Sequence, residues 1–176
     1  MKPWCFVWGA PAINQRPHEL PFFVLAQSLP YRIAMSKKPK IRAIAICLFR
    51  NGDRILANQG YNRSAQRHFC RPLGGGIDFG ETSEAAVIRE IQEELGAELV
   101  RPKFLGVLES IFVYNDAPGH ELVFVYDGQF ADAALYNQPV IRAVEGDRTF
   151  EARWYALEDL KSGEIRLVPE GLWTLL

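Results

Sequence analysis

Three glutamates, Glu90, Glu93 and Glu94, fall close together in the segment GGIDFGETSEAAVIREIQEELGA, with Arg89 beside them and Gly74, Gly75 and Gly76 ahead of them. On an α-helix these acids project at about 0°, 300° and 40° around the axis, so their carboxylates share one face. Like charges at such spacings repel by about 0.2–0.5 kcal/mol per pair on an open surface, and by more beside a wall that excludes water. A divalent cation reverses the sign of that interaction. Magnesium takes hard oxygen ligands and keeps several waters, so a carboxylate cluster facing bound phosphates suits it. In such a site the cation neutralises phosphoryl oxygens and activates a water for attack at phosphorus, with no covalent enzyme intermediate. The plainer reading of a charge run is a solvated helix face. The glycines, Glu81 and Arg89 at their spacings argue against it here.

The acids need a rigid element beneath them. Thr82 and Ser83 are helix-capping residues, Glu84 is an acid for the first turn, and Gly96 suits a left-handed C-terminal position; together they predict a helix from Thr82 to Leu95. Ile88, Ile91 and Leu95, near 160°, 100° and 140°, are the expected buried stripe, roughly opposite the acids. Leu73, Gly74, Gly75 and Gly76 read as a loop whose backbone could approach an anion or a metal, because consecutive glycines are costly inside a strand or helix.

The spacing of Gly75, Glu81, Arg89, Glu90, Ile91, Glu93, Glu94 and Gly96 resembles the Nudix box at every consensus position, with Ala97 in the final small or aliphatic place. The resemblance implies an α/β (α+β) fold, the Nudix-type α/β/α sandwich with a mixed central sheet, and hydrolysis of a diphosphate bond dependent on Mg2+ or Mn2+. It implies Glu93 and Glu94 as metal-ligating carboxylates. Glu90 would be a further ligand or the group that orients or deprotonates water. The backbone carbonyl of Gly74 would add a main-chain oxygen, and Arg89 and Glu81 a supporting ion pair. Some relatives take an extra ligand or base from a later strand; Glu121 is the candidate here and Glu109 its competitor.

Length and composition fit this reading. With 176 residues the chain is one domain by length and can bury a substantial core. A net charge of −1 supplies no basic field for general nucleic-acid binding, so a small phosphorylated ligand is the better expectation. Cys5, Cys47 and Cys70 are odd in number and widely spaced, which reads as reduced, structural and cytoplasmic. His18, His68 and His120 form no zinc pattern. No apolar run reaches the roughly 20 residues of a membrane span.

Residues 1–36 are unassigned, and 37–176 carry the resemblance. Prolines Pro3, Pro11, Pro17, Pro21 and Pro30 break every periodicity in the first part, while Trp4, Phe6, Trp8, Phe22 and Phe23 are too apolar for an ordinary linker. Either translation starts at Met35 or the segment is an arm that packs on the domain or a partner; a homodimer is compatible with the resemblance. From Ile41 the pattern is β-rich: IRAIAICLF, a turn at Asn51-Gly52, and RILA as its antiparallel partner. Gln59 to Gln66 reads as a polar loop and Phe69 to Pro72 as a short strand. Lys103 to Val113 and Glu121 to Phe130 are strands around a turn cluster at 115–119. Ala131 to Arg148 reads as a long connection, Phe150 to Tyr155 as a strand, Leu157 to Lys161 as a short helix stopped by Gly163, and Glu170 to Leu176 as a terminal helix.

The box specifies the diphosphate and neither end of the substrate. Arg42, Tyr61, Arg63, Phe112 and Tyr114 are the candidates for substrate contacts, aromatics to stack on a base and arginine to hold a phosphate. Two functional classes stay open. One is a pyrophosphohydrolase acting on an ADP-ribose-like compound, a dinucleoside polyphosphate or a modified nucleoside triphosphate. The other is a non-catalytic nucleotide-sensing module on the same fold. The complete acid set favours the first.

Overall fold

The computed structural model describes residues 39–176. The expectations for residues 1–36, the alternative start at Met35, Cys5 and His18 lie outside the described residues. The elements are β1 (Ile41–Asn51), β2 (Arg54–Asn62), β3 (Arg67–Arg71), β4 (Leu73–Gly76), α1 (Ser83–Leu95), β5 (Leu99–Tyr114), β6 (Ala117–Phe130), β7 (Val140–Glu145), β8 (Arg148–Ala156), α2 (Leu157–Ser162) and β9 (Ile165–Leu167), with 3-10 turns at Ala133–Asn137 and Glu170–Thr174.

Strand β1 organises the sheet because it is buried on both faces. Ala45, Cys47 and Phe49 point into one core with Val87 and Ile91 of α1. The alternate residues Ile44, Ile46 and Leu48 point into a second core with Leu160, Leu167 and Leu172. A strand with two buried faces reads as a continuous apolar run, which is how IRAIAICLF appears in the sequence. Helical layers on both sides of a mixed sheet give the expected α+β sandwich. β6 runs parallel to β1 and antiparallel to β5, with bulges where Arg101 and Leu105 fall.

The β1–β2 hairpin forms, but it parts after two residue pairs, Arg50 with Ile55 and Asn51 with Arg54. β2 then pairs with β3 and β8 instead. The vacated edge of β1 is taken by the glycines: β4 pairs antiparallel with β1, Gly74 opposite Ile46 and Gly76 opposite Ile44. The glycine segment is thus a strand, not the expected loop. Its conformational cost is offset by closeness, since a Cβ at Gly74 would lie 2.2 Å from the Ala45 carbonyl oxygen, and Gly74 has φ +126°. Only glycine allows both the approach and that backbone.

Other boundaries also differ from expectation. β2 continues through Gln59 to Asn62, leaving only residues 63–66 as the turn. The expected long connection 131–148 contains a 3-10 turn and β7, which pairs with β8 across the Gly146-Asp147 turn. The polar Arg142, Glu145 and Arg148 masked this hairpin, because its edge strand is solvated on one side. The C-terminal segment forms a 3-10 turn rather than an α-helix, although Leu172, Trp173 and Leu176 do cover the sheet as expected.

We expect Gly74→Ala to lower stability by more than about 3 kcal/mol, through a backbone clash and a left-handed φ together. Gly76→Ala, with nothing within 4 Å of the added carbon, should cost less than about 1 kcal/mol. Urea denaturation of both variants measures the difference.

Candidate active site

Helix α1 begins and ends as its sequence requires. Thr82 Oγ1 accepts from the Ala85 amide at 3.2 Å, and Gly96 adopts φ +62° and donates to Gln92 O at 2.9 Å. Its buried face is only partly the one expected: Ile91 is buried and Leu95 packs against the core, as expected, but the arc is rotated away from Ile88. Ala86, Val87, Ile91 and Glu94 are buried, while Ile88 is exposed and Leu95 only half-buried. The buried arc, centred near 40°, includes the directions of Glu90 and Glu94. These acids therefore lie against the sheet rather than opposite it. They can because the strand beneath them has no side chains: a Cβ on Gly75 would sit 2.5 Å from the Glu90 carboxylate.

Arg89 gathers the site. Its Nε and Nη2 donate to the two oxygens of Glu81, each at 2.9 Å. Nη2 also donates to Gly76 O at 2.9 Å, and Nη1 to both Glu90 Oε1 and Glu93 Oε2 at 3.0 Å. This bidentate bond holds the Glu81 carboxyl below the usual carboxylate range, helped by the Asp78 amide, and the surrounding carboxylates raise the Arg89 pKa in turn. Glu94 accepts from the Gly74 amide at 3.1 Å. Burial pushes its pKa up to about 7, against that hydrogen bond, and the nearby Glu90 and Glu145 carboxylates add to the rise. All three glutamates also lie toward the C-terminal half of the helix, where the macrodipole disfavours negative charge.

Among the described residues, no three acidic, histidine or cysteine side chains are gathered closely enough to hold a metal ion by themselves. The donor chemistry nonetheless fits magnesium. Glu90 Oε2, Glu93 Oε1 and Glu94 Oε1 accept no hydrogen bond from the described residues, so each glutamate offers one hard oxygen. An ion that keeps several waters needs no more than a few such ligands. The Gly74 carbonyl adjoins them and accepts only a long bond, 3.3 Å, from Arg71.

Residues outside the box are placed less uniformly. Arg42 and Glu121 pair with each other at 3.5 Å. Glu121 alternates with Val123 and Val125, so it faces the core away from α1 and is not brought to the three glutamates. Glu109 is bonded to His120 at 2.9 Å. Tyr61 packs on His68 in a shallow groove with Gln59 and Tyr155, on the opposite side of β2 and β3 from Arg71. Phe112 lies over Gly119. Tyr114 meets Phe69 edge-on at 5.8 Å. Arg63 contributes its backbone: its amide donates to Asn115 Oδ1 at 2.8 Å. That bond belongs to a clasp between the β2–β3 and β5–β6 turns, in which Asn62 Nδ2 donates to Val113 O at 2.9 Å and the Asp116 amide donates to Ser64 Oγ at 3.1 Å.

Two residues that the sequence pattern does not single out also join the site: Asp78, whose amide fixes Glu81, and Arg71, which reaches the Gly74 carbonyl. A cation set into the otherwise apolar Phe69–Leu73 stretch was the available signal for the second. Cys47 and Cys70 are buried and unbonded, and burial pushes Cys70 up to about 12, so neither is a nucleophile at neutral pH. No helix among the described residues is long and apolar enough to cross a membrane.

The model of the NUDIX domain matches residues 39–172. The chain is 35% identical over 115 residues to the NAD-capped RNA hydrolase NudC of Mycobacterium tuberculosis, which is 60% of this chain and 36% of that protein. It is 33% identical over 116 residues to the NudC of Mycobacterium bovis, with the same shares covered. The chain therefore spans about a third of the length of these curated relatives. Among solved structures, the MutT NUDIX hydrolase from Burkholderia pseudomallei superposes with a TM-score of 0.51 at 30% identity, over 68% of this chain and 85% of that one. The E. coli ORF135 protein shares the fold with a TM-score of 0.54 at 18% identity, over 78% and 87%.

The raised pKa of Glu94 has a consequence for stability. The folded protein binds a proton there more tightly than the unfolded chain, so this contribution is full below about pH 4.5 and is lost as pH rises through about 7. In chelator, stability should fall by on the order of 3 kcal/mol between those limits. Glu94→Gln should flatten that slope, as measured by urea denaturation across the range.

Proposed function

The chain belongs to the NUDIX family, and from that premise we propose that it hydrolyses the diphosphate bond of a nucleoside diphosphate linked to another moiety, using Mg2+ or Mn2+. One observation carries the reading: Arg89 and the Gly74 amide fix Glu90, Glu93 and Glu94 while leaving one oxygen of each uncommitted. A structural ion-pair network would have consumed those oxygens. A bound divalent cation would neutralise phosphoryl oxygens and acidify a coordinated water.

The chain's own residues supply the rest. Glu93, Glu94 and Glu90 would hold the ion, with the Gly74 carbonyl as a further oxygen donor. Glu90, packed over Gly75, orients the attacking water. Arg89 and Glu81 are positioning residues. The five hydrogen bonds that Arg89 donates, two of them to Glu81, fix Glu90 and Glu93 before substrate arrives, so little reorganisation is left for the transition state. Glu121, locked to Arg42, takes no part in this assignment. The named activity of the NudC relatives favours a dinucleotide-type diphosphate among the substrate options.

A panel of dinucleotides, nucleoside diphosphate sugars and nucleoside triphosphates, assayed with magnesium or manganese, should contain at least one compound that is cleaved. Glu93→Gln and Glu94→Gln should each slow turnover about a hundredfold or more, equivalent to about 2.7 kcal/mol of barrier. Chelator should abolish cleavage. Undiminished turnover in either variant contradicts the assignment of that ligand.

A further inference from the structure

Arg71 is half-buried, and no acidic oxygen among the described residues lies within ion-pair distance of it. Its one side-chain hydrogen bond is the 3.3 Å contact to Gly74 O, which places its charge at the margin of the glutamate cluster. Its charge acts on Glu94 through space, but no carboxylate is hydrogen-bonded to it, which leaves most of its donor fork available. Two residues earlier, on the same face of β3, is Phe69. It lies across Gly60 so closely that a Cβ there would be 2.3 Å from its ring. Tyr114 stands edge-on to that ring, 5.8 Å between centroids and 87° between planes, and is 43% exposed. The two rings make an L-shaped apolar corner. Its far wall is fixed because the Asn62, Ser64 and Asn115 clasp ties the strand end carrying Tyr114 to the turn preceding β3.

Spacing connects the corner with the arginine. The backbone positions of residues two apart on one face of a strand are separated by roughly 6.6 Å, so the ring and the guanidinium spring from neighbouring places on one face, within the span of a nucleoside and its 5′-phosphate. From this geometry we propose that Phe69 and Tyr114 receive the nucleobase of the substrate and that Arg71 holds the adjacent phosphate, handing the diphosphate to Glu90, Glu93 and Glu94. The inference rests on the function proposed above and assigns its specificity end. Aromatic faces accept any base and arginine reads only phosphate, so the corner selects for a nucleoside monophosphate unit with tolerance of base identity.

The experiment is twofold. First, binding of adenosine monophosphate and of ribose 5-phosphate to the Glu93→Gln protein is measured by calorimetry, with magnesium present. Adenosine monophosphate should bind at least tenfold more tightly, Phe69→Leu and Tyr114→Leu should erase that difference, and Arg71→Ala should weaken both ligands alike. Leucine keeps apolar volume at each position, and thermal unfolding confirms that the variants are folded. Second, on a cleaved dinucleotide, the leucine variants should raise KM tenfold or more while changing kcat less than threefold. Equal binding of the two ligands by the parent protein, or a base preference unaltered by both leucine substitutions, overturns the assignment. Because the binding arm needs no turnover, absence of any cleaved substrate would defeat the functional proposal without touching this one.

Discussion

A single guanidinium holds the candidate site together. Arg89 joins Glu81 from the loop before the helix, Glu90 and Glu93 from the helix, and the Gly76 carbonyl from the sheet. Three like charges near the negative end of a helix would otherwise spread into solvent. Arginine suits the role because its planar fork can satisfy several acceptors at once and never loses its proton. It compensates the carboxylates without consuming all their oxygens.

The second requirement is a floor on which a helix can rest its acidic edge. Ordinary strands would lift α1 away by the thickness of a side chain. Here β4 is bare at Gly74 and Gly75, so the helix settles until Glu94 meets a backbone amide and Glu90 lies over Gly75. The space for β4 exists only because the β1–β2 hairpin parts after two pairs. Local glycine chemistry and sheet topology thus lead to one result, partial desolvation of the acids.

Much of this was legible in the chain because it is local. The caps of α1, the two-faced burial of β1 and the box spacing are all properties of short segments. What was missed depended on tertiary pairing. The glycine segment reads locally as a loop because strand glycines are weak in isolation, and nothing local reveals that β1 has a vacant edge. Ile88 falls in the expected stripe by residue type and helical angle, yet the packing arc is set by where the glycine floor lies. The β7–β8 hairpin was hidden by its charged, half-solvated strands. Residue type and place in the chain point to Arg42, Glu121 and Tyr61, but strand parity turns them away from the glutamates. The placement of Arg71 beside the Gly74 carbonyl and of Phe69 against Tyr114 emerges only from tertiary contacts.

The clasp between the two turns has an evolutionary corollary. Asn62 and Ser64 on one hairpin and Asn115 and Asp116 on the other meet through side-chain amide, hydroxyl and main-chain groups from positions about fifty residues apart. Their loop lengths are consequently not independent characters. An insertion in either turn breaks the mutual bonding unless the other changes with it, so descendants of this sequence should gain or lose residues at both places together, and a chimaera that borrows one hairpin alone inherits a mismatched pair.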